Sequence, residues 1–357
     1  MNKSIAISIS AFMLLSTSLL QAEATVVEVP KTKIINIKLP KVPEVPKVKA
    51  VVPVVNLVVD GQTQVTHTVV EEEPEETHET VMIFSNRVPP GYYDKDKEVK
   101  KKAQVGEVDN GRVAAYLHTE LMSVKDVKAN LKKAGFDILS SYKVDKKGYA
   151  TSIVFTNDAM KKAAAKATRG FASTLRVVVD KKNKITSISN PIYVMRAFMQ
   201  KEYDKQLATA TLTSLRDAFA GVKNSDEIVK FSMLERFRFM ENMPYYQDMN
   251  VVSKGTNDSL IQKANNSKKV LYSQKLENGT YALGVKLGKR TSKFIKKTGY
   301  TNAGLLPYPV IIEDGQAKIL DPKFYIAVMY PMLKMSQFMK IATVPGAIEK
   351  DCDKIFR

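Results

Sequence analysis

The sequence predicts an α+β protein: two tandem copies of an antiparallel sheet with helices packed on one face, preceded by a signal peptide and a Pro/Lys-rich tether. Three observations predict it. Apolar runs of strand length come in pairs around polar turns, as in "VVVDKKNKITSIS" and "VIIEDGQAKIL". Each pair ends on an Asx-Pro step, Asn190-Pro191 and Asp321-Pro322, where Asx caps a helix and Pro opens it. The order strand, helix, strand, strand, helix, strand, strand, helix reads twice along the chain. The expected division is 1–24 signal peptide, 25–80 extended linker, 81–224 first domain and 225–357 second domain.

The N-terminus carries Lys3, an apolar run from Ile5 to Leu20, and small residues at Ala22 and Ala24. That is the charged, apolar and cleavage-site pattern of an export signal, cut after Ala24. The run is shorter than the ~20 residues that span a bilayer. No cysteine follows Ala24 closely, which excludes a lipid-modified N-terminal cysteine. The expected location is the periplasm, with no transmembrane segment in the mature protein. Pro30, Pro40, Pro43, Pro46 and Pro53 then punctuate a lysine-rich segment. Proline fixes φ and removes a donor, so this segment favours an extended tether. An acidic run around Pro74 follows and reads as solvated.

The first copy is read from Gly111. Residues 112–121 form a strand. Ser123 and Asp126 have capping-box spacing for a helix that ends near Gly135. Residues 136–145 and 149–156 make a hairpin through "DKKG". An alanine-rich helix starts at Asn157 or Asp158, and the strands 175–179 and 185–189 close the unit. "LATATLTSLRDAFAG" is one more amphipathic helix.

The second copy repeats the order. "DMNVVS" is a strand, "NDSLIQKANN" a helix, and Asn278-Gly279 turns a hairpin. "KRTSKFIKKTG" reads as a weaker helix, and strands 308–312 and 317–320 follow. "KFYIAVMYPMLKMSQFMKIA" reads as one long helix. Val179 aligns with Ile312 and Pro191 with Pro322, offsets of 133 and 131, so the second hairpin loop is two residues shorter.

Composition narrows the partners. The chain has 55 Lys and Arg against 37 Asp and Glu, a net charge of +18. Export sets nucleic acid aside, and leaves an anionic envelope surface as a partner or plain solubility as the reason. The lone Cys352 can form no intramolecular disulfide, and Asp351 and Asp353 beside it disfavour a reactive thiolate.

No motif requires a cofactor or metal. His67 and His78 flank an acidic run without metal-site spacing, and His118 reads as a hydrogen-bonded structural histidine. "GVKLGKR" lacks the spacing and the Ser/Thr of a phosphate loop. Met329, Met332, Met335 and Met339 read as one drifting helix face, more simply core than a copper site. The binding candidates are Tyr245 and Tyr246, after Pro244 in the segment joining the copies, and Pro307 with Tyr308, present only in the second copy.

The stretch "GLLPYPVIIEDGQAKILDP" resembles the domain-of-unknown-function 302 family, and "ASTLRVVVDKKNKITSISNP" resembles it more weakly. The likeness covers about residues 110–221 and 228–350. It implies small α+β domains and no shared chemistry. Members often carry a cysteine after the Leu-Pro step. Tyr308 stands there, which speaks against a thiol-dependent role. The functional expectation is a non-enzymatic envelope protein that binds a small apolar ligand between the copies or acts as a scaffold. The alternatives are an enzyme or redox accessory with a site between the copies, and a structural protein on anionic polymers.

Overall fold

A computed structural model describes residues 102–357. The expected cleavage at Ala22 and Ala24, the tether, His67, His78 and a folded start at Val81 lie outside the described residues.

The described chain runs β1 (Arg112–Ala114), β2 (Tyr116–Glu120), α1 (Val124–Lys133), β3 (Asp137–Lys143), β4 (Ala150–Thr156), α2 (Asp158–Ala164), β5 (Leu175–Asp180), β6 (Ile185–Ser189), α3 (Pro191–Met199) and α4 (Lys205–Ala218). Short strands β7 (Lys223–Asn224) and β8 (Ile228–Lys230) follow. Then come β9 (Asn250–Lys254), α5 (Asn257–Asn266), β10 (Val270–Lys275), β11 (Tyr281–Val285), α6 (Ile295–Thr298), β12 (Tyr308–Glu313), β13 (Gln316–Ile319), α7 (Pro322–Met329), α8 (Met335–Met339) and α9 (Val344–Asp353). The protein is α+β, with antiparallel sheets and helices. Among the described residues no helix is long and apolar enough to cross a membrane.

Local chemistry fixes the helix starts. Ser123 Oγ accepts the Asp126 N–H at the head of α1, and Thr256 Oγ1 accepts the Ser259 N–H at the head of α5. Asn190 and Asp321 cap α3 and α7, each followed by proline. Three expectations need correction. The strand expected over 112–121 is two, because at Ala115 the chain turns its N–H to the Glu227 carbonyl and β1 pairs instead with β8. The long helix expected over 323–342 is two pieces. Pro331 lacks the N–H that continuation needs, so α7 ends and α8 starts afresh. The weaker helix after Gly288 is a 3-10 turn, Thr291–Phe294, and the single turn of α6.

One sheet has the order β3-β4-β5-β6-β2-β7, the other β10-β11-β12-β13-β9. Five strands of each therefore follow the same path. Helix α1 covers one face of the first sheet, with Val127 and Leu131 at 0% exposure. The other face is covered by the second half of the chain. Ser152 Oγ donates to the Leu306 carbonyl and Tyr116 Oη to the Met329 carbonyl, each at 2.6 Å. The turn Ala303–Leu305 lies on this face, with Gly304 against Val178, Ser189 and Tyr116. The arrangement is reciprocal. The turn Gly170–Ser173 lies on the second sheet, with Gly170 against Ile311 and Thr280, and Gln274 Nε2 donating to Ser173 Oγ at 2.8 Å. Each half covers a face that the other would expose.

The two seam glycines differ in room. A Cβ on Gly170 would stand 2.9 Å from Ile311 Cγ2, whereas one on Gly304 would meet nothing closer than 3.6 Å. Gly170→Ala is expected to destabilise by about 1–3 kcal/mol through overpacking. Gly304→Ala is expected to stabilise by roughly 0.4–1 kcal/mol, because alanine leaves the unfolded chain fewer conformations. Urea unfolding of both variants checks this, and equal losses would contradict the seam packing.

Candidate functional site

Helix α3 ends where its backbone turns sharply. Gln200 takes φ 57° and ψ −121°, a conformation that favours glycine. Its side chain is buried and held twice. Nε2 donates to the Ala197 carbonyl, and Oε1 accepts from Gln247 Nε2 at 3.1 Å. Thr168 also has positive φ, 61°, which is rarer still for a β-branched residue. Its N–H donates to Glu313 Oε2 at 3.0 Å, its carbonyl accepts the Tyr246 hydroxyl, and its Oγ1 accepts Arg169 Nη1 at 2.8 Å. The surroundings hold both backbones in place.

Beside these residues a cleft of about 280 Å³ opens, lined by Arg169, Gln200, Lys201, Glu235, Arg236 and Gln247. Arg169 Nε donates to Glu202 at 2.7 Å, and its guanidinium stands 5.4 Å from the Tyr246 ring centre. The hydrogen bond from Arg169 holds the Glu202 carboxyl below the usual range, against the effect of burial. Glu235 is paired with Arg196, which also stacks on Tyr203 and Phe231. Both carboxylates are thus matched. Lys201 and Arg236 are exposed and form no ion pair among the described residues, so the cleft is net positive. It offers two unmatched cations and two amides, and suits a polar, anionic molecule.

A second polar cleft of about 260 Å³ lies beyond the 165–168 loop, between Lys166, Asn257, Asn278, Thr280 and Glu313. The apolar hollow between Met160, Met195, Met199 and Leu207 has about 10 Å³, room for one water and no ligand.

Of the sequence candidates, Tyr246 precedes Gln247 of the first cleft but does not itself line it, and is 2% exposed. Its ring meets Phe171, Phe198 and Phe324. Phe198 leads to Tyr325 and Tyr325 to Tyr308, so Tyr246 and Tyr308 end one buried aromatic chain. Tyr308 donates to the Leu320 carbonyl at 2.9 Å. Pro307 is buried after a cis peptide bond. Tyr245 is 38% exposed, away from this chain, with Arg238 over its ring at 4.9 Å. Thr168 and Gln200 were missed. Neither residue type signals positive φ, and only the fold reveals it.

Other sequence expectations also meet the structure here. The four methionines do not share a helix face: Met329 is buried in α7, while Met332, Met335 and Met339 are exposed beyond the break at Pro331. His118 Nε2 is buried without a hydrogen-bond partner among the described residues, contrary to expectation, and burial lowers its pKa. In "GVKLGKR", Gly288 gives its N–H to Asp351 Oδ2 at 2.8 Å, so that amide is already engaged. Cys352 is fully buried, and burial followed by the Asp351 charge pushes its thiol pKa up. Among the described residues no three His, Cys, Asp or Glu gather as a metal site.

The comparisons with known proteins add no relative. No family model matches the chain, and neither the curated proteins nor the solved structures provide a match.

Proposed function

We propose that the chain is an exported envelope protein that binds a small polar anion in the Gln200 cleft without turning it over. The observation that carries this reading is strain beside charge. Gln200, and Thr168 next to Arg169, hold unfavourable backbone at or beside an open cleft with two unmatched cations. Such backbone costs on the order of 1–3 kcal/mol per residue and tends to persist where a ligand is gripped. A polar ligand replaces the apolar one expected from sequence, because the apolar hollow is too small to hold one. Export is supported by the N-terminal pattern ending at Ala22 and Ala24.

The same reading takes the two halves as diverged copies of one unit similar to the domain-of-unknown-function 302 family. Its support is the shared strand path and the constant spacing. Ser123 and Thr256 cap equivalent helices 133 residues apart, and the seam turns at Gly170 and Ala303 are also 133 apart.

Native mass spectrometry of the full chain, purified from its own compartment, is expected to retain a small anionic molecule. Gln200→Gly relieves the strained backbone but removes a buried side chain held by two hydrogen bonds, so the two effects are expected to offset to within about 1 kcal/mol while retention weakens. A protein that retains nothing, or whose Gln200→Gly form retains the same molecule equally well, sinks the reading.

A further inference from the structure

Arg176 is the least explained polar group in the seam. It lies on β5 and is 2% exposed. Its one hydrogen bond among the described residues is long, 3.4 Å from Nη1 to the Thr174 carbonyl. Nε and Nη2 have no partner among the described residues. Those two nitrogens form one edge of the guanidinium, the side-on fork that matches both oxygens of a carboxylate. Arginine cannot escape by losing its proton. The groups that act most on its charge are Tyr325, Tyr272, Tyr142 and Tyr116, all phenols rather than carboxylates.

The strands around it supply further donors. Val154 pairs with Arg176 on one side and Ser140 on the other, so these share a face. Tyr142, two residues from Ser140, shares it as well. Val177 pairs with Ile188, which places Ser189 on the Arg176 face. The hydroxyls of Ser140, Tyr142 and Ser189 are buried and have no partner among the described residues. Across the seam Gln274 Oε1 is an unpartnered acceptor, but one neutral oxygen does not balance a buried positive charge.

We propose that this face of the first sheet binds a small carboxylate, gripped side-on by Nε–H and Nη2–H of Arg176 and ringed by the Ser140, Tyr142 and Ser189 hydroxyls. The site is separate from the Gln200 cleft and does not depend on it. The ligand is a free small acid, acceptor-only and planar, the complement of a donor-only fork. Chloride has the charge but not the paired oxygens. Because the carboxylate lies beneath the second half of the chain, its binding stabilises the closed seam.

The test is thermal unfolding of the full chain by circular dichroism, in a zwitterionic buffer freed of small anions. Sodium acetate and sodium formate are titrated against sodium chloride at matched ionic strength. The expected result is a saturating rise in Tm of about 5–10 °C at ~100-fold excess over Kd, with acetate or formate and not with chloride. Arg176→Met is expected to abolish the difference between the salts. Equal responses to all three salts overturn the proposal, as does an Arg176→Met protein that still prefers acetate. Should Arg176→Met fail to fold, carbon-13-labelled acetate with the native chain decides. Saturable line broadening reversed by excess formate supports the site, and its absence overturns it.

Discussion

Raising the pH above about 10 is expected to unfold the protein cooperatively, because six tyrosines cannot ionise in place. Tyr116, Tyr193, Tyr246, Tyr308, Tyr325 and Tyr330 are all buried. Each hydroxyl donates to a backbone carbonyl: Met329, Val328, Thr168, Leu320, Leu305 and Gly299 respectively. A phenolate there would lose its only donor and face a carbonyl oxygen. Burial raises every one of these pKa values, that of Tyr325 to about 12. The sign follows from linkage. Below the ordinary phenol pKa both states keep the proton, and the stabilisation is intact. Above it the unfolded chain releases protons that the folded chain retains, so stability falls as pH rises.

One pH unit above the ordinary value each tyrosine costs about 1.4 kcal/mol, roughly 8 kcal/mol for six, which is comparable to the whole stability of an ordinary domain. Cys352, with its raised thiol pKa, acts in the same direction. Phenolate absorbance and far-ultraviolet circular dichroism followed together should change in one step. Phenols that ionise near their ordinary pKa while the dichroism stays native would contradict the burial.

The sequence made the local structure legible and hid the seam, for a physical reason. Caps and turns act over three or four residues, so Ser123, Asn190, Asp321 and Asn278-Gly279 could be read directly. Strand alternation was legible too, but its meaning was not. In "ITSIS" the apolar Ile188 alternates with Ser187 and Ser189, a pattern that ordinarily marks a solvated face. Here both serines are about 1% exposed, because another part of the same chain lies over them. Alternation separates two faces and does not say what covers each. Pro331 shows the same limit: the apolar run continues past it, and only the missing N–H divides the helix. Tyr246 could be singled out as an aromatic at a junction. Thr168, whose carbonyl accepts the Tyr246 hydroxyl, and Gln200 depend on backbone that only long-range packing imposes.

Gly284→Ala is expected to cost on the order of 3 kcal/mol, the largest single-methyl effect among the seam residues. Gly284 lies on β11 opposite Tyr272 of β10. A Cβ there would fall 2.1 Å from Tyr272 Cε1, 2.7 Å from Cδ1 and 2.8 Å from Cζ, so the ring lies flat over the glycine. The ring cannot simply swing away, since Tyr272 is 7% exposed and lies close enough to Arg176 and Tyr325 to act on both. Tyr272→Ala alone removes a buried ring and costs about 3–5 kcal/mol.

Once the ring is gone, the added methyl has nothing to strike. The double variant should then be no less stable than Tyr272→Ala, a coupling near the upper end of the ~0.5–3 kcal/mol seen for contacting pairs. Additive losses in denaturant unfolding would show that the ring lies elsewhere. The first sheet makes the same point with the sizes reversed. There the edge strand carries Ser140 and its inner neighbour is Val154. A small residue on the edge permits a branched one inside, whereas the edge tyrosine of β10 requires glycine beneath it.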